Sequence, residues 1–526
     1  MNGNTEQTMI KYNTVIDKYI SPDKSGESDY QSEKQLEDNF IAELQNQGYQ
    51  YLAINNEEDF KKNLRTQIET LNNCKFTDNE WNRFFETEIA NKNKNAEEKT
   101  SLIQDEKCCV SFKFDDNDIS KNIYLINKVN INANNLQVIH QYINDGGKRT
   151  NRYDVTVLVN GLPLVHIELK KRGEAIKEAF DQIDRYQNDS FWAESGLFEY
   201  IQIFVISNGT NTKYYSNTVR DDAIKKVSNS FEFTNWWSDK ENCLIKDLTD
   251  FTKTFFAKHT ILNILTKYCV FTSDKKLLVM RPYQIAATES ILNKIEDSTN
   301  NGKIGTIDAG GYIWHATGSG KTLTSFKTAQ LVSRFEYIDK VLFVVDRKDL
   351  DYQTINEYKK YEEEAVLTTE NTNILIKRLE QQSKDSKIIV TTIQKLNKLN
   401  ERDINNDIFN KRIVIIFDEC HRSQFGKMHL EIKKAFKNYY LFGFTGTPIL
   451  NSNSNTTKNV FGEMLHTYTI KDAIEHENVL PFNVEFNDVV GYKNNVEIIN
   501  IPKNIEETDI QNDISTTEYI RENKKK

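Results

Sequence analysis

A chain of 526 residues is too long for a single hydrophobic core and predicts about three domains. The formal charge of −9 excludes a protein that coats nucleic acid through bulk positive charge, while leaving room for a local basic surface. Six scattered cysteines without a Cys-x-x-Cys exclude a disulfide framework. The absence of a bilayer-length apolar run or a signal-like start predicts a soluble, cytoplasmic protein with no membrane partner.

In chain order, residues 1–30 are polar and irregular and predict a mobile N-terminal arm. A helix follows, with Leu36, Phe40, Ile41 and Leu44 at helical spacing. Residues 91–107 read as a surface stretch rich in Lys, Asn and Glu. From 122 to 170 the pattern turns to period two. Val155–Val159, then Asn160-Gly161-Leu162-Pro163, then Val165–Lys170 predict a hairpin. An amphipathic helix over roughly 173–188 comes next, then a strand Tyr200–Ser207 closed by Asn208-Gly209, and a helical segment around 246–268.

The hairpin carries one candidate chemistry. Metal-dependent phosphodiester cleavage needs carboxylates to hold Mg²⁺ and a lysine beside the attacking water. Asp154, Glu168 and Lys170 supply that set. Strand alternation puts Glu168 and Lys170 on one face with His166, and turns Val165, Ile167 and Leu169 to the core. A two-residue Asn-Gly turn would pair Asp154 with Ile167. Because Pro163 cannot donate to a ladder, a five-residue loop, 159–163, is expected instead, which returns Asp154 to a place opposite Glu168. On the following helix Gln182 and Tyr186 lie four apart, on one face. Glu37 reads as a solvated helix charge, with an extra catalytic acid as the alternative. Lys213, after the Asn208-Gly209 turn, is a further candidate.

In a chain with 28% charged residues Glu-x-Lys alone says little. The combination of Asp154, Glu168-Leu169-Lys170 and Gln182-x-x-x-Tyr186 resembles the PD-(D/E)xK nucleases, especially the branch with a Gln-x-x-x-Tyr helix. Tyr153 stands where that family has its leading Pro.

The second half carries another chemistry. Trp314-His315-Ala316-Thr317-Gly318-Ser319-Gly320-Lys321-Thr322 is a phosphate-binding loop, with His315 where the general pattern asks for Gly. Backbone N–H groups of Thr317, Gly318, Ser319 and Gly320 would cradle phosphates. Lys321 would meet the β/γ-phosphates and Thr322 would ligate Mg²⁺. Asp418, after the apolar run Ile413–Phe417, would hold the same ion, and Glu419 would orient the attacking water. Apolar strands are expected at Tyr312–His315, Val341–Asp346, Lys387–Thr392, Arg412–Glu419 and Tyr440–Thr445. Separated by helical patterns, they predict a parallel sheet covered on both faces, with binding at the carboxyl ends of its strands.

This region resembles the first RecA-like domain of superfamily 2 helicases and translocases, through Arg281-Pro282-Tyr283-Gln284, Val344-Val345-Asp346-Arg347, Thr391-Thr392-Ile393-Gln394-Lys395, Asp418-Glu419-Cys420-His421 and Thr445-Gly446-Thr447-Pro448. The resemblance implies that Gln284 reads adenine, making ATP the nucleotide, and that His421 belongs to the nucleotide site. It also implies that Arg347, Thr392 and Gln394 contact a nucleic-acid backbone, and that Thr445 and Thr447 couple hydrolysis to its movement.

An α/β nuclease domain (31–260) followed by a RecA-like domain (261–470) resembles the restriction (R) subunit of type I restriction–modification enzymes. That resemblance implies double-stranded DNA as substrate, ATP and Mg²⁺ as cofactors, and methyltransferase and specificity subunits as partners. Residues 471–526, with one strand-like piece at Val479–Val490, would only begin a second RecA-like domain. The chain alone is therefore expected to bind Mg·ATP weakly and not to translocate. A DNA-repair helicase–nuclease, and a truncated subunit that binds DNA or partner without turnover, stand as alternatives.

Overall fold

The structure is a computed structural model. It describes residues 12–22, 31–115, 120–218, 220–222, 225–227, 230–345, 357–358, 360–361, 366–368, 372–381, 387–399, 407–423, 427–451 and 456–480. The period-two half of the sequence forms a seven-stranded mixed sheet. Helix α1 (Glu33–Asn46) opens with a capping box, Ser32 with Gln35, and buries Leu36, Phe40, Ile41 and Leu44 as its spacing predicts. The sheet then takes its strands in chain order: β1 (Gln50–Tyr51), β2 (Leu136–Asn144), β3 (Asn151–Val159), β4 (Leu162–Leu169), β5 (Ile203–Ser207), β6 (Thr212–Ser216) and β7 (Asn235–Trp236). Helix α2 (Ile176–Asp189) links β4 to β5, which run parallel.

The hairpin turn differs from the expected five-residue loop. Val159 pairs with Leu162, so the turn is the two residues Asn160-Gly161, both at positive φ (50° and 81°). This is the turn chemistry the Asn-Gly dipeptide favours. Asn160 fixes it by donating to Leu125 O and Asn134 Oδ1. A bulge between Val157 and Leu158 then shifts the register by one, giving Val157–Val165 and Val155–Ile167. Continued one step, that register sets Asp154 opposite Glu168. The expected pairing is thus reached by a bulge, not by a longer loop. Every residue of β4 is buried, so the predicted division into a core face and an open face does not hold; both faces are covered.

Two other stretches also differ from expectation. Within 91–107 lies the helix Ala96–Gln104, and its Lys99 is buried in an ion pair with Glu199 at 2.6 Å. The described part of the N-terminal arm is not loose. Tyr12 N donates to Asn293 Oδ1 and Thr14 N to the buried Glu289 carboxylate, while Thr14 and Val15 are themselves buried.

The second half builds an all-parallel seven-stranded sheet. After helix α3 (Pro282–Asn300) come β8 (Gly311–His315), helix α4 (Lys321–Ser333), β9 (Lys340–Val345), β10 (Val366–Thr368), β11 (Ile388–Thr392), β12 (Arg412–Phe417), β13 (Asn438–Thr445) and β14 (Met464–Tyr468). Their order across the sheet is β10-β11-β9-β12-β13-β8-β14. The β-branched runs of β9, β11 and β12 are buried along nearly their whole length, as a sheet covered on both faces requires. Strands β10 and β14 carry no strong sequence signal and add to the five strands the sequence predicts. The short helix α5 (Ile470–Glu475) follows β14. Residues 471–480 fold back on the front half: Glu477 accepts from Lys213 Nζ at 2.7 Å and from Trp236 Nε1 at 3.3 Å. Most of the expected strand Val479–Val490, from residue 481 on, lies outside the described residues. Among the described residues no helix is long and apolar enough to cross a membrane.

Two candidate active sites

In the first sheet Asp154 is held by the backbone. Its Oδ2 accepts from Leu169 N at 3.0 Å, which fixes the side chain across the hairpin beside Glu168. Lys170 Nζ lies 3.4 Å from Glu168 Oε1 and 3.5 Å from Glu33 Oε1. Burial, and for Asp154 the neighbouring Glu168 charge, push both carboxyls up to about 8. His166 lies 3.5 Å from Glu168 Oε2, but burial lowers it to about 4, so it stands neutral and supplies no charge. Glu168 Oε2 is buried without a hydrogen-bond partner, an arrangement that costs about 1–3 kcal/mol for a polar group.

Two acids raised together, one with an orphaned oxygen, suit a divalent cation, whose charge would replace the missing solvation. Among the described residues no three His, Cys, Asp or Glu side chains form a ready metal-holding group. Mg²⁺ ordinarily needs only one or two carboxylates, with water and phosphate oxygens completing its shell. The pair Asp154 and Glu168 therefore fits it.

Gln182 and Tyr186 meet as their spacing predicts. Gln182 Nε2 donates to Tyr186 Oη at 2.6 Å, and Tyr186 Oη donates to Arg152 O at 2.9 Å. These bonds pin β3 two residues before Asp154. Glu37 is buried, not a surface charge. Gln141 Nε2 donates to it, and burial together with the Asp154 charge raises it to about 7. Lys213, two strands from Glu168 in the same row of the sheet, is paired with Glu477 over the Trp236 ring.

In the second sheet the loop between β8 and α4 is shaped by Gly318 and Gly320, at φ 83° and 80°. A Cβ on Gly320 would stand 2.6 Å from Gln284 Nε2. Thr317 and Gly318 are exposed, Ser319 and Lys321 are buried, and Thr322 is half-buried at the start of α4. His315 departs from the motif without disturbing it, because its ring lies in the core, 3.0 Å from His466 Nδ1 and edge-on to Tyr283. Lys321 Nζ lies 3.5 Å from Glu419 Oε1, and His421 Nδ1 lies 2.9 Å from Thr445 Oγ1. Thr445 also accepts from Thr447 N at 3.0 Å, so one hydroxyl joins the acidic box to the Thr445–Pro448 turn. Asp418 is raised to about 6 by burial and by Glu419. Glu419 adopts a left-handed φ of 43°, uncommon for a residue with a Cβ.

Gln284 uses its amide internally: Nε2 donates to Ser319 O at 3.1 Å, and Oε1 accepts from Arg281 N at 3.0 Å. Thr392 caps the helix Ile393–Asn397 by accepting from Lys395 N, and Gln394 is exposed on that helix. Arg347 lies outside the described residues.

The sequence model of the type I restriction enzyme R protein N terminus matches residues 30–223, and that of the SWI2/SNF2 ATPase matches residues 283–518. The endonuclease subunit of type I restriction enzyme EcoprrI from Escherichia coli is 53% identical over 285 residues, 54% of this chain and 88% of that protein. The chain belongs to the type I restriction enzyme endonuclease subunits. The SsaAORF53P endonuclease subunit from Staphylococcus saprophyticus is 41% identical over 479 residues, 88% of this chain and 48% of that protein. The SauMRSORF196P subunit from Staphylococcus aureus is 40% identical over 472 residues, 87% of this chain and 47% of that protein. The chain thus spans about half the length of these two relatives.

For a type I restriction subunit, sequence reasoning missed four groups at the two sites. Glu33, which reaches Lys170 from α1, and Gln141, which reaches Glu37 from β2, give no motif signal. Arg281 and Tyr283 lay inside a quoted motif but carried no assigned role. Only the tertiary contacts reveal them.

Proposed function

We propose that this chain supplies Asp154, Glu168 and Lys170 for Mg²⁺-dependent endonucleolytic cleavage of duplex DNA, and the loop around Lys321 at which ATP is bound for the hydrolysis that drives DNA translocation by the assembled enzyme. It would do so in the cytoplasm within a type I restriction complex, beside methyltransferase and specificity subunits that supply sequence recognition. The observation that carries the cleavage reading is the bulged register that brings Asp154 and Glu168 together beside Lys170.

Mg²⁺, held by Asp154 and Glu168, would polarise the scissile phosphate and lower the pKa of a bound water. Lys170, tethered between Glu168 and Glu33, brings a positive charge to the same oxygens. Gln182 and Tyr186 keep β3, and with it Asp154, in register. In the motor, Lys321 meets the β/γ-phosphates, while Thr322 and Asp418 would hold the nucleotide's Mg²⁺. Glu419 orients water, and Gln284 and His421 border the nucleotide. Thr445 and Thr447, linked to His421 through one hydroxyl, would pass the state of the site to DNA-contacting residues, for which Arg347, Thr392 and Gln394 are the candidates.

The test is cleavage of duplex DNA under Mg²⁺ with Lys170→Ala and Lys321→Ala variants. Loss of cutting in Lys170→Ala with nucleotide binding intact supports the assignment. Cutting that survives Lys170→Ala removes it.

A further inference from the structure

We infer that the edge of the nuclease sheet positions the nucleotide loop, with Asn235 of β7 acting through Arg281 and Tyr283 on the backbone of Ser319. This rests on the reading of the Lys321 loop as the ATP site. Asn235 Oδ1 accepts from Arg281 Nε at 2.8 Å, Arg281 Nη1 donates to Tyr283 Oη at 3.3 Å, and Tyr283 Oη donates to Ser319 O at 2.7 Å. Gln284 Nε2 reaches the same carbonyl at 3.1 Å. Asn235, Tyr283, Gln284 and Ser319 are all buried, so solvent does not compete for these bonds.

What the relay does follows from peptide geometry. A trans peptide is planar, with its C=O and the next N–H pointing in opposite directions. Two donors fixing the Ser319 carbonyl therefore also fix the Gly320 N–H, aimed away from Tyr283 and Gln284. Such N–H groups are what a phosphate-binding loop offers its ligand. Gly320 lies at φ 80° and has no side chain to hold it; its carbonyl is held by Thr324 of α4, and its N–H side is set by this external clamp.

The Tyr283 ring is braced from a second side by the same sheet edge. It stacks on Tyr468 with ring centroids 3.6 Å apart, and Tyr468 Oη accepts from Asn478 Nδ2. The neighbouring Glu477 is held by Lys213 of β6 and Trp236 of β7. Strands β6 and β7 thus grip both partners of the stack that lies against the loop. Asn235 is a positioning residue: it touches no part of the site where nucleotide would sit.

The experiment measures the affinity of the purified chain for a fluorescent ATP analogue with Mg²⁺, alongside its thermal midpoint without nucleotide. The variants are Asn235→Leu, Asn235→Asp, Tyr283→Phe and Lys321→Ala. Loss of one buried hydrogen-bond link predicts that Asn235→Leu and Tyr283→Phe each bind about five- to tenfold more weakly. Asn235→Asp, whose carboxylate still accepts from Arg281, should bind within about twofold of wild type. Wild-type affinity in both Asn235→Leu and Tyr283→Phe would overturn the relay, as would a fall in midpoint with no change in affinity. If Lys321→Ala leaves affinity untouched, the nucleotide-site reading itself fails. If only Lys321→Ala weakens binding, that reading stands and the relay alone is wrong.

Discussion

Lys321 Nζ and Glu419 Oε1 stand 3.5 Å apart, joining the loop after β8 to the acidic turn after β12. A lysine that faces both an acid and the phosphate position would neutralise one and attract the other. Lys321→Ala should reduce Mg·ATP affinity by at least about tenfold, since it removes the charge-assisted contact. Titration calorimetry checks this. Unchanged affinity would move the nucleotide elsewhere.

Metal binding at the nuclease site should depend on pH in the alkaline direction. The Asp154 and Glu168 carboxyls are raised to about 8 by burial, and a cation needs them deprotonated. Mg²⁺-dependent cutting should therefore climb between about pH 7 and pH 9. A rate already flat from pH 6 would contradict the raised acids.

The same shift has a stability consequence. A folded pKa above the unfolded value means the contribution to stability is full below about pH 4 and is lost as pH rises towards 8. Glu168→Gln ends that titration. In chelator-containing buffer at pH 8.5 the variant should melt a few degrees above wild type, corresponding to about 1–2 kcal/mol. At pH 5 the two should differ by less. The variant should not cut. A lower midpoint at pH 8.5 would show that Glu168 is ionised without strain in the fold.

How far the sequence reveals this site depends on the kind of contact. Glu168 with Lys170, and Gln182 with Tyr186, are legible as pairs because strand and helix periods put each pair on one face, whereas the place of Asp154 opposite Glu168 depends on the bulge. The turn is not legible, because Pro163 argues against a short hairpin and a bulge has no sequence period of its own. Glu37 looks like any solvated helix charge until Gln141, itself at φ 54°, turns in to meet it. The arm around Thr14 was missed for a similar reason: its hold on Glu289 runs through a backbone N–H that any residue would supply. The parallel sheet was legible where β-branched runs are continuous, and not at Val366–Thr368 or Met464–Tyr468, which are short edge strands.

Gly161 tests the turn directly. At φ 81°, a Cβ there would stand 2.8 Å from the Leu64 backbone. Gly161→Ala should destabilise the chain by about 1–3 kcal/mol and lower cutting by disturbing the register that sets Asp154 opposite Glu168. Denaturant melts and a cleavage assay read the two effects. An unaffected variant would mean that the register is set elsewhere.

Whether one chain holds two separable chemistries is decided in the complex with methyltransferase and specificity subunits. Cutting of duplex DNA and ATP hydrolysis are followed in the same reaction for wild type, Lys170→Ala and Lys321→Ala. Lys170→Ala should hydrolyse ATP without cutting, and Lys321→Ala should do neither. Cutting by Lys170→Ala, or hydrolysis by Lys321→Ala, would contradict that separation.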